Sequence, residues 1–283
     1  MVVNNETHEQ ASAPSAATNA TATRSTLLRR GGLIAGGAAL LAMVQPISFP
    51  QAFAQTAGCP ESTTDILNAA LTAEQLATTF YYQALVGGPP RLQVVHDEEK
   101  RPYFQAALWE EFQHAALFSS VGAKSLAGPS PRFYFPAPTF SSSTQFLRVL
   151  DALETAFISA YIAAIGAWAG ASPNAVSSTG SFTPAQLAKI AAQILGIEAE
   201  HRVLGRDAGG EEVPNNLILE RALFSCVGSA TNTSGTAVGA LLPFVTGGPG
   251  FAGPYTMPSE EQVRSAVGSV IIAKVINPGL ASP

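Results

Sequence analysis

The feature that most constrains this chain is a set of four helical stretches, each with one glutamate on an otherwise apolar stripe. Residues 62–86 place Leu67, Ala70, Glu74, Ala77, Tyr81 and Ala84 at steps of three and four. The next stretch starts between Asp97 and Pro102 and runs to about Val121, with Phe104, Ala107, Leu108, Glu111, His114, Ala115 and Phe118 on its stripe. The third runs from Ser142 to Ala169, with Leu147, Leu150, Glu154, Phe157, Tyr161 and Ile165. The fourth runs from Thr183 to about Arg206, with Leu187, Ile190, Ile194, Glu198, His201 and Leu204. Start signals support these bounds: Ser62 and Thr63 with Asp65, a capping-box pattern at Ser142-Ser143-Thr144-Gln145, and Thr183-Pro184-Ala185-Gln186. Gly87-Gly88-Pro89-Pro90 stops the first stretch, and Gly122, Gly128, Pro129 and Pro131 stop the second. The reading is an all-α antiparallel four-helix bundle. The Pro- and aromatic-rich connection from Pro129 to Phe140 is long enough to cross it between helices 2 and 3.

Carboxylates do not normally sit on a buried stripe, because desolvating one costs several kcal/mol unless it is paired or coordinates a metal. Each glutamate lies near the middle of its stretch, so antiparallel helices of similar length bring all four to one layer. Two are followed by histidine at i+3, Glu111-Phe112-Gln113-His114 and Glu198-Ala199-Glu200-His201, on the same helix face. Ion pairing fails on supply, since the layer offers four acids and two histidines but no Lys or Arg. A glutamate from each of two helices and a Glu-x-x-His from each of the other two is the ligand set of di-iron and di-manganese bundles. Glu74, Glu111, His114, Glu154, Glu198 and His201 are therefore the expected metal ligands, and two ions would offset the four carboxylates. Softness and ligand type favour iron or manganese.

Glu110 and Glu200 rival these positions but lie off the stripes, and both are expected to face solvent. His96, beside Asp97, Glu98 and Glu99, reads as a solvated helix start. Tyr81 and Tyr161 lie seven residues beyond Glu74 and Glu154, and read as core residues with a hydrogen bond. A redox role, or support of the ligands, is the alternative.

Ala70-Leu71-Thr72-Ala73-Glu74-Gln75-Leu76-Ala77-Thr78-Thr79-Phe80-Tyr81 resembles the first helix of the ferritin-like superfamily. Its other three helices are matched by Glu111 to His114, Leu153-Glu154 through Tyr161, and Ile197-Glu198-Ala199-Glu200-His201. The closest resemblance is to its exported branch of desiccation-related and stress-induced proteins, over about 62–206. At Ala77 that branch often carries a second Glu, so a supporting carboxylate is missing here. The resemblance implies reaction with O2, peroxide or a small molecule in oxidative or desiccation stress. It leaves open a manganese catalase-like activity, or a stress-protective protein whose metal only staples the bundle. A homo-oligomer is open too, but the tail and Pro-rich loop argue against a storage shell.

The rest of the chain bears on location. Residues 1–54 read as a signal peptide. Arg29-Arg30 precedes an apolar run from Gly31 to Val44, too short for a membrane span, and Ala52-Phe53-Ala54 supplies a cleavage site. The paired arginines and glycine-diluted run resemble a twin-arginine signal, without the usual lysine. A lipoprotein reading of Thr56-Ala57-Gly58-Cys59 is weaker. A periplasmic or secreted protein follows, with no stable membrane span after cleavage. The net charge of −5 excludes a generic nucleic-acid binder. Cys59 and Cys226 remain after cleavage, either paired or as two separate buried thiols. The bundle occupies 55–206. The extension 207–283 is expected to pack on it, with one short helix at Asn216–Cys226 and another opening at Pro258 to Gln262.

Overall fold

The computed structural model describes residues 59, 61–87, 92–171 and 182–276, so the expected leader lies outside the described residues. Four long helices form where periodicity and caps predict them: α1 (Thr63–Val86), α2 (Arg101–Ser120), α3 (Ser143–Ala169) and α4 (Pro184–Ala208). Ser62 and Asp65 close a capping box on α1, and Thr183 and Gln186 close one on α4 behind Pro184. At α3 only half the expected box forms. Ser142 accepts from the Gln145 N–H, while the Gln145 side chain accepts from Arg148. α2 has no side-chain cap, but Pro102 in its first turn removes one orphan donor.

Contacts between the helices fix their directions. Beyond the end of α2, the Lys124 and Leu126 N–H groups donate to Asn68 and Thr72 near the start of α1. Late in α4, Arg206 reaches Asp151 early in α3, and a methyl placed on Gly205 would meet Leu150 at 2.3 Å. Tyr81 meets Glu154 and Tyr161 meets Glu74, so α1 and α3 are antiparallel as well. α2 therefore ends at the opposite end of the bundle from the start of α3, and the intervening chain crosses its length. α3 is long and apolar enough to span a bilayer, yet it packs here as a core helix.

The crossover is more ordered than a loop. Residues Arg132–Pro136 form strand β1, antiparallel to β2 (Phe251–Thr256), with a register shift between Phe133 and Phe135. Fully buried Phe133 and Phe135 drive this pairing. Phe135 lies 5.6 Å from Phe80, which stacks on Phe146 at 4.8 Å, so the crossover is pinned to α1 and α3 by aromatic packing. The sequence showed no strand series, and two short strands in an α-helical chain do not alter the fold class.

The C-terminal region corrects one expectation and adds an element. Asn216–Cys226 is not helical. Its groups are spent on the bundle instead: Glu220 forms a bidentate pair with Arg202, Asn216 accepts from Arg206, and the Arg221 carbonyl accepts from Ser159. Ile218 and Leu219 are exposed, so no apolar stripe is available for a helix to bury. α5 (Ala237–Thr246) is an element the sequence reading lacks; Thr236 caps it, and Pro243 in its interior leaves one backbone hydrogen bond unmade. α6 (Glu260–Val267) starts as expected, on a capping box between Ser259 and Gln262. Ile271, Ile272 and Val275 pack against the core, whereas Val270 and Ile276 are exposed. A Cys59–Cys226 disulfide ties the chain ahead of α1 to this C-terminal strap.

Candidate metal centre

The core is divided across the bundle. One apolar cluster gathers Leu76, Phe80, Leu108, Phe146 and Leu150, and a second gathers Leu67, Leu71, Phe118, Tyr161 and Ile190. Between them lies the acidic layer. Glu74, Glu111, Glu154, Glu198 and His201 are each no more than 3% exposed, and the His114 side chain is 14% exposed.

All six side chains converge. The ligand atoms of Glu74, Glu111, His114 and Glu198 lie within 4.8 Å of one another, as do those of Glu111, Glu154, Glu198 and His201. Glu111 and Glu198 belong to both groups. His114 Nδ1 stands 3.3 Å from Glu74 and 3.8 Å from both Glu111 and Glu198. His201 Nδ1 stands 2.9 Å from Glu111, 3.4 Å from Glu198 and 4.0 Å from Glu154.

Two tyrosines complete the layer more directly than expected. Tyr81 on α1 donates to Glu154 on α3 at 2.5 Å, and Tyr161 on α3 donates to Glu74 on α1. Each hydroxyl fixes the carboxylate that belongs to only one group. Burial raises both phenol pKa values well above the ordinary range, with Glu154 and Glu74 respectively adding to it, so both hydroxyls keep their protons.

Glu110 departs from its expected role. Its side chain is 27% exposed, but it accepts from His201 Nε2 at 2.9 Å. Burial acts to raise its pKa, yet the hydrogen bond to His201 and the charges of His201 and His114 hold it below the usual range. His201 is thus gripped from behind by one carboxylate while its Nδ1 faces the layer. The opposing helices are related by an approximate exchange, in which Ile197 corresponds to Glu110 and cannot hold His114 in the same way. The signal was legible as Glu-Glu against Ile-Glu before the two Glu-x-x-His histidines. Glu200 is exposed, as expected. His96 lies outside the layer, half-buried, with Nδ1 2.8 Å from the Arg101 guanidinium.

The electrostatics of the layer oppose its own carboxylates. Burial pushes the Glu111 carboxyl up with help from Glu74, and does the same to Glu154 and Glu198 with help from Glu198 and Glu111 respectively. Burial would lower both histidines, but the Glu74 charge lifts His114 and the hydrogen bond to Glu110 leads in lifting His201, each well above its ordinary value. Among the described residues, the buried arginines Arg202 and Arg206 are paired with Glu220 and Asp151. Both carboxylate oxygens of Glu111 and of Glu198, one of Glu154, and His201 Nδ1 are buried without a hydrogen-bond partner. Unsatisfied oxygens and an imidazole nitrogen aimed at shared points are the donor set that divalent metals take, so the residues fit a metal centre.

A family model described as a ferritin-like domain matches residues 62–211. The chain belongs to the ferritin-like domain family. Searches of curated proteins and of solved structures found no match to it. The matched region of this ferritin-like chain contains α1 to α4 and every residue of the acidic layer; the crossover strand β1 also lies inside it, whereas α5, β2 and α6 lie beyond it. Ala77 is buried in the core, so no second carboxylate from that turn supports the layer.

Proposed function

We propose that this ferritin-like protein holds two ions, iron or manganese, and uses them to react with O2 or peroxide outside the cytoplasm, in oxidative or desiccation stress. The observation that carries the reading is the sharing of Glu111 and Glu198 by two four-residue groups whose buried oxygens have no other partner. Glu74 and His114 would hold one ion, Glu154 and His201 the other, and Glu111 and Glu198 would bridge them. A pair of redox ions supplies two electrons to one oxidant. The chain's own part is to fix the ligands before metal arrives. Tyr161 and Tyr81 orient Glu74 and Glu154, and Glu110 sets the tautomer of His201 by taking its Nε2–H. The two clusters above and below keep bulk water out of the layer.

Aerobic oxidation of Fe(II) by metal-free protein, and H2O2 turnover by manganese-loaded protein, test the activity. Reaction in the first supports the oxygen reading, and turnover in the second selects a catalase-like one. Inertness in both, with metal bound, leaves a structural ion and overturns the proposed chemistry. Glu110→Gln is expected to lower metal affinity about 10–100-fold, the range for partners that hold a metal-bound histidine. Competitive chelator titration reads this directly, and wild-type affinity would contradict it. Export is the second part of the reading. It is supported by the leader-like residues 1–54 and by a disulfide suited to an oxidising compartment. Replacing Arg29 and Arg30 with lysine is expected to leave precursor in the cytoplasm. Unimpaired export of that variant would exclude the twin-arginine route.

A further inference from the structure

The two halves of the metal centre are not built alike. In one half, His201 Nε2 donates to Glu110 at 2.9 Å, and Nδ1 is buried without a hydrogen-bond partner, facing Glu111 and Glu198. Tyr81 lies edge-on to the His201 ring, with 5.7 Å between centroids, and also donates to Glu154. Glu154 and His201, the two ligands that belong to this half alone, are each held from behind and stand 4.0 Å apart. The His201 side chain is 4% exposed.

In the other half the corresponding pair bonds to itself. His114 Nδ1 and Glu74 share a hydrogen bond at 3.3 Å. No hydrogen bond among the described residues uses His114 Nε2, and half-buried Ile197, which stands on α4 where Glu110 stands on α2, offers no acceptor. His114 is also the most exposed of the six ligands, at 14% of its side chain. An ion entering this half has to separate Glu74 from His114 and to orient an imidazole that nothing holds from behind. An ion entering the other half meets ligands already apart and oriented, and preorganised ligands bind more tightly because less ordering is left to do. We propose that the two ions are held unequally: Glu154 and His201 keep a resident ion, and Glu74 and His114 take an exchangeable one, admitted on the solvent side of His114. The inference rests on the proposed two-ion centre and gives it an order of filling.

Titration of the metal-free full chain with Mn(II), with the free ion read by electron paramagnetic resonance, tests this. Two affinity classes are expected, about tenfold to a hundredfold apart, the worth of a partner that holds a metal-bound histidine. Glu74→Ala should keep the tighter class and Glu154→Ala the weaker one. Ile197→Glu supplies the missing acceptor behind His114 and is expected to tighten the weaker class about tenfold or more. Ile197→Leu should move neither class, and Ile197→Gln serves if the acidic variant does not melt cooperatively. Two ions in one affinity class, the tighter class surviving in Glu154→Ala, or a weaker class unmoved by a folded acceptor variant would overturn the inequality and leave the two-ion centre standing. A chain that binds no Mn(II) would overturn both.

Discussion

Glu198→Ala is expected to empty both halves of the metal centre, whereas Glu74→Ala or Glu154→Ala removes about one ion. The difference follows from membership: Glu198, like Glu111, belongs to both four-residue groups, and Glu74 and Glu154 to one each. Removing a direct, shared ligand should exceed the roughly 10–100-fold loss that an outer hydrogen-bond partner causes. The histidine variants divide in the same way, with His114→Ala sparing the half that contains His201. Elemental analysis after reconstitution with Fe(II) or Mn(II), at a metal concentration that saturates the parent, gives ions per chain. Two ions retained by Glu198→Ala would refute the shared arrangement. Stability should move oppositely. Without metal, the layer carries buried acids that burial and one another oppose, so Glu198→Leu is expected to raise the melting temperature of the metal-free protein.

Loss of the disulfide should be the largest single change in stability. Cys59 and Cys226 are 167 residues apart, and closing a loop of that size contributes about 5 kcal/mol in the chain-entropy treatment. At about 2–4 °C per kcal/mol for a chain of this size, Cys226→Ser is expected to lower the thermal midpoint by about 10 °C or more. Cys59→Ser should match it, and the double variant should add little. The parent should show no free thiol until reduced. A thiol titrating in the unreduced, denatured protein, or a midpoint unchanged in both variants, would contradict this.

The helices and their shared layer were legible because local and tertiary signals agree there. Ser62, Thr183 and Pro184 mark starts that the apolar stripes independently require, and a glutamate on such a stripe has few places to go. What escaped the sequence depends on contacts distant in the chain. β1 exists because Phe133 and Phe135 are buried, Phe135 against Phe80, and both pair with residues more than a hundred positions on. Asn216–Cys226 has helix-forming residues, yet Arg202, Arg206 and Ser159 claim its polar groups and hold it non-helical. Glu110 was assigned to solvent by its position off the stripe. Position on the helix does not decide this alone, because a glutamate side chain is long enough to reach a histidine on the facing helix. The disulfide was open in the sequence because two cysteines so far apart carry no mark of proximity.

The division of the core into two apolar halves has a consequence for how the molecule comes apart. Each half is sealed by its own packing, one with the aromatic cluster at Phe80 and Phe146, the other with the strap at Phe224 and Val227. The plane joining them is the part of the interior least favourable to itself when no cation is present. The bundle is then two sub-cores with a weak waist, and opening can begin at mid-helix rather than fray from the ends. Two ions bound there, drawing ligands from all four helices between them, would turn the weakest plane into a rivet through the structure. Metal supply would then decide whether the protein unfolds as one unit or as two.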